Sequence, residues 1–268
     1  MTKTRRIGLL IGLFLFALTF VLPPPAEMSV VAWRTAGVAL LLAAFWATEV
    51  LPIPITSLLP LLLFPALGVM PMAEAATPYA RPTIFLLLGG FIIATALARW
   101  NLHRRLALNI LVRVGNNPAA LIGGFMAATA LISMWISNTA SSIMMIPIAL
   151  SLASEIVRDQ DKRHQGFVLC LILGIAYSAS IGGLGTPIGT PPNLFVVSFM
   201  KATYGIEISF LTWMMFGIPT VLVMVPVAWF VLTKWAYPFN LDDAPVAEHM
   251  LRDELAAMGP MSRPERRV

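Results

Sequence analysis

The chain has 268 residues, 58% of them hydrophobic and only 12% charged, with a net charge of +5 at pH 7. That composition belongs to an all-α polytopic membrane protein and excludes an ordinary soluble domain. It also argues against nucleic acid as a partner, because the basic residues sit in short clusters between apolar tracts rather than along one face.

The N-terminus, MTKTRRIGLLIGLFLFALTFVLPPP, has the basic start and apolar run of a signal peptide. Pro23, Pro24 and Pro25 stand where a small-residue cleavage site would be, so the sequence predicts an uncleaved first span over residues 7–22. A second span covers residues 33–48, with Glu49 at its inner end. A third, residues 51–70, carries Pro52, Pro54, Pro60 and Pro65. The last two should kink it, since each removes a backbone donor. A fourth span, residues 83–98, contains Gly89-Gly90, which permits close helix contact. Residues 99–114, RWNLHRRLALNILVRV, interleave Arg99, Arg104, Arg105 and Arg113 with Leu and Ile. They predict an amphipathic helix in the membrane interface, with a basic loop carrying a short helix as the alternative.

Two apolar arms follow, residues 118–135 and 141–153, on either side of Ser137-Asn138-Thr139. The second arm, near 13 residues, is too short to span, and segments of that length read as re-entrant. Arg104, Arg105 and Arg113 precede the pair, and Arg158, Lys162 and Arg163 follow it. A hairpin that enters from the cytoplasm and returns there satisfies both flanks. Two full spans would also do so, but would leave Ser-Asn-Thr in an outer turn. Residues 167–200 then run for 34 residues without a charge. One straight helix of that length would overshoot a bilayer core of about 30 Å at about 1.5 Å per residue. The glycines of GGLGTPIGTPPN, with Pro187, Pro191 and Pro192, break it in the middle. The expectation is a half-helix, an unwound loop, and a second half-helix starting near Pro191. A last span covers residues 208–233, and the polar residues 234–268 belong to the cytoplasm. The architecture is thus about six spans plus a re-entrant hairpin and a broken helix. On this topology 15 of the 18 Lys and Arg lie inside, and only Arg34, Arg81 and Lys201 outside. Both termini are cytoplasmic. Cys170 is the only cysteine and lies in an apolar run, so its expected role is packing.

The two polar breaks carry the chemistry. At membrane depth, freed backbone is tolerated only where it is buried in protein or lines a wet cavity. Sodium is a hard cation that takes oxygen ligands. Ser133 and Ser137 are four residues apart, so their hydroxyls would share one face of a helix. Asn138 adds an amide oxygen, and Gly182, Gly183, Gly185 and Gly189 leave carbonyls free. The half-helices after Thr139 and after Thr190 would present N-terminal amides, which hold anions without any basic residue. That suits a stretch in which residues 114–156 contain only Glu155 and residues 165–200 contain no charge. Asn and Thr at helix tips are also ordinary caps, and capping is the alternative for each break taken alone. An intramembrane hydrolase with Ser137 as nucleophile would need a base in reach. His103, His164 and His249 all fall in cytoplasmic segments, so no enzyme is expected.

The stretches LLLGGFIIATAL, NLHRRLAL, ISNTASSIMMIP, GTPIGTPPN and LAAMGPMSRPERRV resemble the divalent anion:sodium symporters, which carry dicarboxylates, citrate or sulfate. The resemblance covers nearly the whole chain. It implies Ser133, Ser137, Asn138 and Gly189 as ligands of a co-transported sodium ion. It implies Asn138 and Thr139 against a substrate carboxylate, with Thr190 and Pro191 beside it. It further implies an elevator in the bacterial inner membrane, whose scaffold domain forms a homodimer. Here residues 1–98 would be scaffold, 99–114 the interfacial helix, and 115–157 the hairpin. Residues 158–233 would complete half of the transport domain, and 234–268 would be the tail. Members of the family have two inverted halves, each with its own SNT and TPPN-type loop. This sequence matches the first, so a second half, as continuation or separate polypeptide, is the expected partner. An arsenite-type or other anion permease of related architecture, and a non-transporting half subunit, are the other readings.

Overall fold

The computed structural model describes residues 2–25, 27–156, 162–239, 245–262 and 265. Among them are twelve α-helices, a 3₁₀ turn and a π-helical turn, and no strand. The chain packs as two compact units, Met1–Ile84 and Phe85–Val268.

In the first unit, α1 (Lys3–Val21) and α2 (Val30–Thr48) pack as an antiparallel pair. Thr2 and Ser29 cap them, their hydroxyls accepting from Arg5 N and Ala32 N. The pair closes tightly because Gly37 leaves room for Thr19, whose Oγ1 would lie 2.5 Å from a Cβ there. Next comes α3 (Ile53–Ala66), with Pro60 and Pro65 inside it, then α4 (Met72–Ala76) and the 3₁₀ turn Thr77–Ala80. Arg34 spends its charge within the unit: Nη1 donates to Leu67 O at 2.8 Å, and the guanidinium lies over Phe20.

The second unit starts within α5 (Pro82–Arg99) and continues through α6 (Leu102–Val114) and α7 (Pro118–Ser133). It goes on with α8 (Asn138–Ile156), α9 (Lys162–Gly182) and α10 (Pro191–Tyr204). It ends with α11 (Phe210–Phe230), the π turn Val231–Ala236 and α12 (Pro245–Ala257). Helices α7 and α9 form its centre, packed by α6, α8 and α11. Leu108, Phe125, Met145, Phe167 and Leu171, from four of these helices, have no exposed surface. Two indoles of α11 stitch it to its neighbours: Trp229 Nε1 donates to Ala119 O at 2.7 Å, and Trp213 Nε1 to Leu184 O at 2.9 Å. Cys170 is buried, with Sγ 3.2 Å from Leu232 O, as a packing residue should be.

Five helical stretches are long and apolar enough to cross a membrane: Lys3–Val21, Val30–Thr48, Pro82–Arg99, Gln165–Gly182 and Phe210–Ala236. Phe14, Phe85 and Phe216 on them are more than 60% exposed, as lipid-facing side chains are. The chain is an all-α multi-pass membrane protein.

Three expectations change in detail. Helix α3 has 14 residues, about 21 Å by helical rise, so as a span it is short. The second hairpin arm is not near 13 residues: α8 has 19, because Ser137 caps it and the helix begins at Asn138 itself. At about 28 Å its length no longer separates a re-entrant arm from a crossing one. Helix α6 forms, but Arg105 does not face the interface. It is 9% exposed and turned into the protein. The expected cytoplasmic loop 158–164 falls largely outside the described residues.

Candidate functional site

Both helix breaks are present where the sequence puts them, and the second unit brings them together. Helix α7 ends at Ser133, residues 134–137 turn, and α8 starts at Asn138. Helix α9 ends at Gly182, residues 183–190 are unwound, and α10 starts at Pro191. The two breaks, with the helix ends beside them, touch at three points. Ser133 Oγ lies 2.7 Å from Ala179 O. Thr186 Oγ1 donates to Met134 O at 2.5 Å. Gly183 packs against Asn138, where a Cβ would sit 2.5 Å from Oδ1. Only glycine permits that approach.

The chemistry at the contact is oxygen-rich. Ser133 Oγ is also 2.8 Å from Asn138 Oδ1. A hydroxyl has one proton, so Ser133 cannot donate to Ala179 O and Asn138 Oδ1 together. Ala179 O already accepts from Gly183 N at 3.0 Å. Three oxygens thus converge where the two breaks meet, and oxygens are the donors a hard cation takes. Ser133 has no exposed surface and Asn138 is half-buried. No group of three or more His, Cys, Asp or Glu that could hold a metal occurs among the described residues. The donors at the contact are all oxygens, the ligands a hard cation takes.

The premise that Ser133 and Ser137 share one helix face does not hold. Ser133 is the last residue of α7, and Ser137 lies beyond the turn as the exposed cap of α8, accepting from Ala140 N at 3.3 Å. It is Asn138 that meets Ser133. Gly189 is buried against Gly183, whose carbonyl oxygen would lie 2.5 Å from a Cβ there. Thr139 and Pro191 are exposed and Thr190 is half-buried, so the expected anion contacts lie at the open rim. Thr190 precedes α10 in extended conformation (φ −147°, ψ 141°), with no side-chain capping bond.

Two residues with no assigned role in the sequence reading hold the loop. Asn193, 3% exposed, donates from Nδ2 to Gly183 O and to Thr186 O, both at 2.8 Å. Thr186 Oγ1 also accepts from Gly189 N at 3.1 Å. The signal was present: both stand in GTPIGTPPN, where polar side chains in uncharged membrane sequence need partners.

Of the three histidines, His103 and His249 lie on α6 and α12, outside the two breaks. His103 is 3% exposed on α6, its Nδ1 3.1 Å from Leu97 O. Burial, helped by the charge of Arg104, holds its pKa below the usual histidine value against that hydrogen bond.

Known proteins point the same way. The citrate transporter family model (CitMHS) matches residues 43–261. The sodium-dependent dicarboxylate transporter SdcS of Staphylococcus saprophyticus is 39% identical over 267 residues, 98% of this chain and 51% of the relative. The SdcS protein of Staphylococcus aureus is 38% identical over the same shares. The chain spans about half the length of the curated relatives it matches. These relatives are transporters, not enzymes. With its SNT turn and GTPPN loop in contact, the chain belongs to the citrate transporter family, of the divalent anion:sodium symporter type.

Proposed function

We propose that this chain is one half of a sodium-coupled symporter for a divalent anion, with a dicarboxylate as the first candidate. The observation that carries the reading is the cluster of oxygens where the two helix breaks meet. Sodium binds at Ser133, Asn138 and the carbonyl of Gly189, with Ser137 completing the shell from the cap of α8. The anion lies at the rim, between the N-termini of α8 and α10, against Asn138, Thr139, Thr190 and Pro191. Bound sodium and two helix dipoles supply the positive potential that no Lys or Arg provides in residues 165–200. The printed names of the relatives, sodium-dependent dicarboxylate transporters, support the substrate class.

In this reading residues 1–98 act as scaffold, through which two copies pair. The second unit's hairpin and broken helix move as half of an elevator's transport domain in the bacterial inner membrane. A second inverted half supplies the facing wall, because Thr139 and Pro191 are open on one side. The test is a reconstituted chimera in which this chain is followed by the second half of the Staphylococcus saprophyticus relative. Sodium-driven succinate uptake is expected, with none from this chain alone. Asn138→Ala should weaken sodium dependence and anion affinity together, because linked sites are reciprocal. Uptake by the chimera that ignores the sodium gradient would sink the symport reading.

A further inference from the structure

We infer that Asn193 and Thr186 are positioning residues that set the cation affinity of the cluster without touching the ion. The inference rests on the sodium reading above and extends it to two side chains outside the ligand set.

The geometry is a buckle. An unwound loop between two half-helices has no ladder of its own to fix it. Residues 183–190 have only isolated backbone turns, such as Leu184 N to Ile181 O at 3.0 Å, Gly185 N to Gly182 O at 2.8 Å and Gly189 N to Thr186 O at 3.3 Å, and side chains tie these turns together. The carboxamide of Asn193, on the first turn of α10, spends both Nδ2 protons on loop carbonyls, Gly183 O and Thr186 O, each at 2.8 Å. Those bonds draw the loop's two ends together across α10's first turn. The hydroxyl of Thr186 works as a through-link: it accepts from Gly189 N at 3.1 Å and donates to Met134 O at 2.5 Å. Met134 directly follows Ser133 in the turn. One side chain therefore ties Gly189 to the turn that presents Ser133. Asn193 is 3% exposed and Thr186 fully buried, so water does not compete for these bonds.

The consequence is specific. Gly183 is held against Asn138 by the same loop whose carbonyls Asn193 grips. A cation binds a preformed set of oxygens more tightly than one it must assemble. Loosening the buckle leaves every proposed ligand in the chain but no longer holds them in register. Ion affinity should fall more than fold stability.

The test uses the purified 268-residue chain in detergent. Thermal midpoints are read across a sodium titration, with potassium at equal ionic strength as the reference. Sodium that binds the folded state raises the midpoint in a concentration-dependent way. Thr186→Val and Asn193→Leu, each of which removes two side-chain hydrogen bonds, should raise the sodium concentration for half of that shift about tenfold. Thr186→Ser, which keeps the hydroxyl, should restore the wild-type half-point. A residue that merely supports the fold would lower the midpoint equally in both salts and leave the half-point where it was. That result overturns the inference, as does loss of the fold by both variants in either salt. Two further outcomes separate the layers. A wild-type chain with no sodium-over-potassium shift sinks the sodium reading, and this inference with it. A wild-type shift abolished by Asn138→Ala but unmoved by Thr186→Val and Asn193→Leu keeps the site and rejects the buckle.

Discussion

At the scale of single residues, two adjacent glycines make a sharp contrast. A Cβ on Gly182 would run into the backbone of Ala130 on α7, which has nowhere to go. A Cβ on Gly183 would stand 2.5 Å from Asn138 Oδ1, the tip of a side chain that can swing away. The same substitution therefore acts on different things. Gly182→Ala should separate α7 from the end of α9 and destabilise the unit by about 1–3 kcal/mol in any salt. Gly183→Ala should cost less stability but displace the amide that meets Ser133. Its signature is a sodium-specific stabilisation that disappears while the midpoint in potassium barely moves. Melting curves of both variants in the two salts check this. If Gly183→Ala kept the wild-type sodium response, Asn138 would not be held as a ligand by its contact with the loop. Ser137 offers the complementary case. As the exposed cap of α8 it has a structural duty that any ligand duty must share.

Elements are held less evenly than the sequence suggests. The tail helix α12 packs on α6 and α8, and one buried side chain carries much of its attachment. Arg105 Nη1 donates to Gly259 O at 2.8 Å and Nη2 to Met258 O at 3.1 Å, the carbonyls just past the end of α12. Nε faces Glu265 Oε1 at 3.4 Å. A cation at the negative end of a helix is favourably placed, and only a planar fork reaches all three acceptors. Arg105→Ala should thus release the tail, costing about 2 kcal/mol of local stability. Amides of Leu251 and Leu255 should exchange faster by hydrogen-exchange mass spectrometry, while those of α9 stay protected. Arg105→Lys should restore little. Protection of α12 unchanged in Arg105→Ala would show that its other contacts, Leu251 in the core and the Arg104–Glu254 ion pair, suffice to dock the tail. None of this was legible in NLHRRLAL, because the partners lie about 150 residues away and read as a polar tail. The broken helix α9–α10 was legible, since an uncharged run too long for the bilayer and dense in Gly and Pro has few other solutions. Helix α8 was read short because Ser, Asn and Thr favour turns by propensity. Here they form the cap and first turn, where the same hydrogen-bonding habit starts a helix.

For the whole molecule, charge decides orientation where packing cannot. On the expected topology 15 of the 18 Lys and Arg fall on one side, and two of the three exceptions have local partners. Arg34 is occupied by Leu67 O and the Phe20 ring. Lys201 pairs with Glu207 at 2.6 Å in the connection between α10 and α11. Arg81 sits just before α5. A bias this strong would commit every copy to one orientation, and two copies would then not face each other antiparallel to complete the site. The facing wall then has to come from sequence of the opposite topology. Single cysteines test the premise. On a Cys170→Ser background the buried donor to Leu232 O is kept by the serine hydroxyl. Thr203→Cys should then react with an impermeant maleimide added outside intact cells. Asp161→Cys should react only after the membrane is opened. Equal labelling of both from outside would mean mixed orientation. An antiparallel pair of this one chain would then be the simplest way to wall the site.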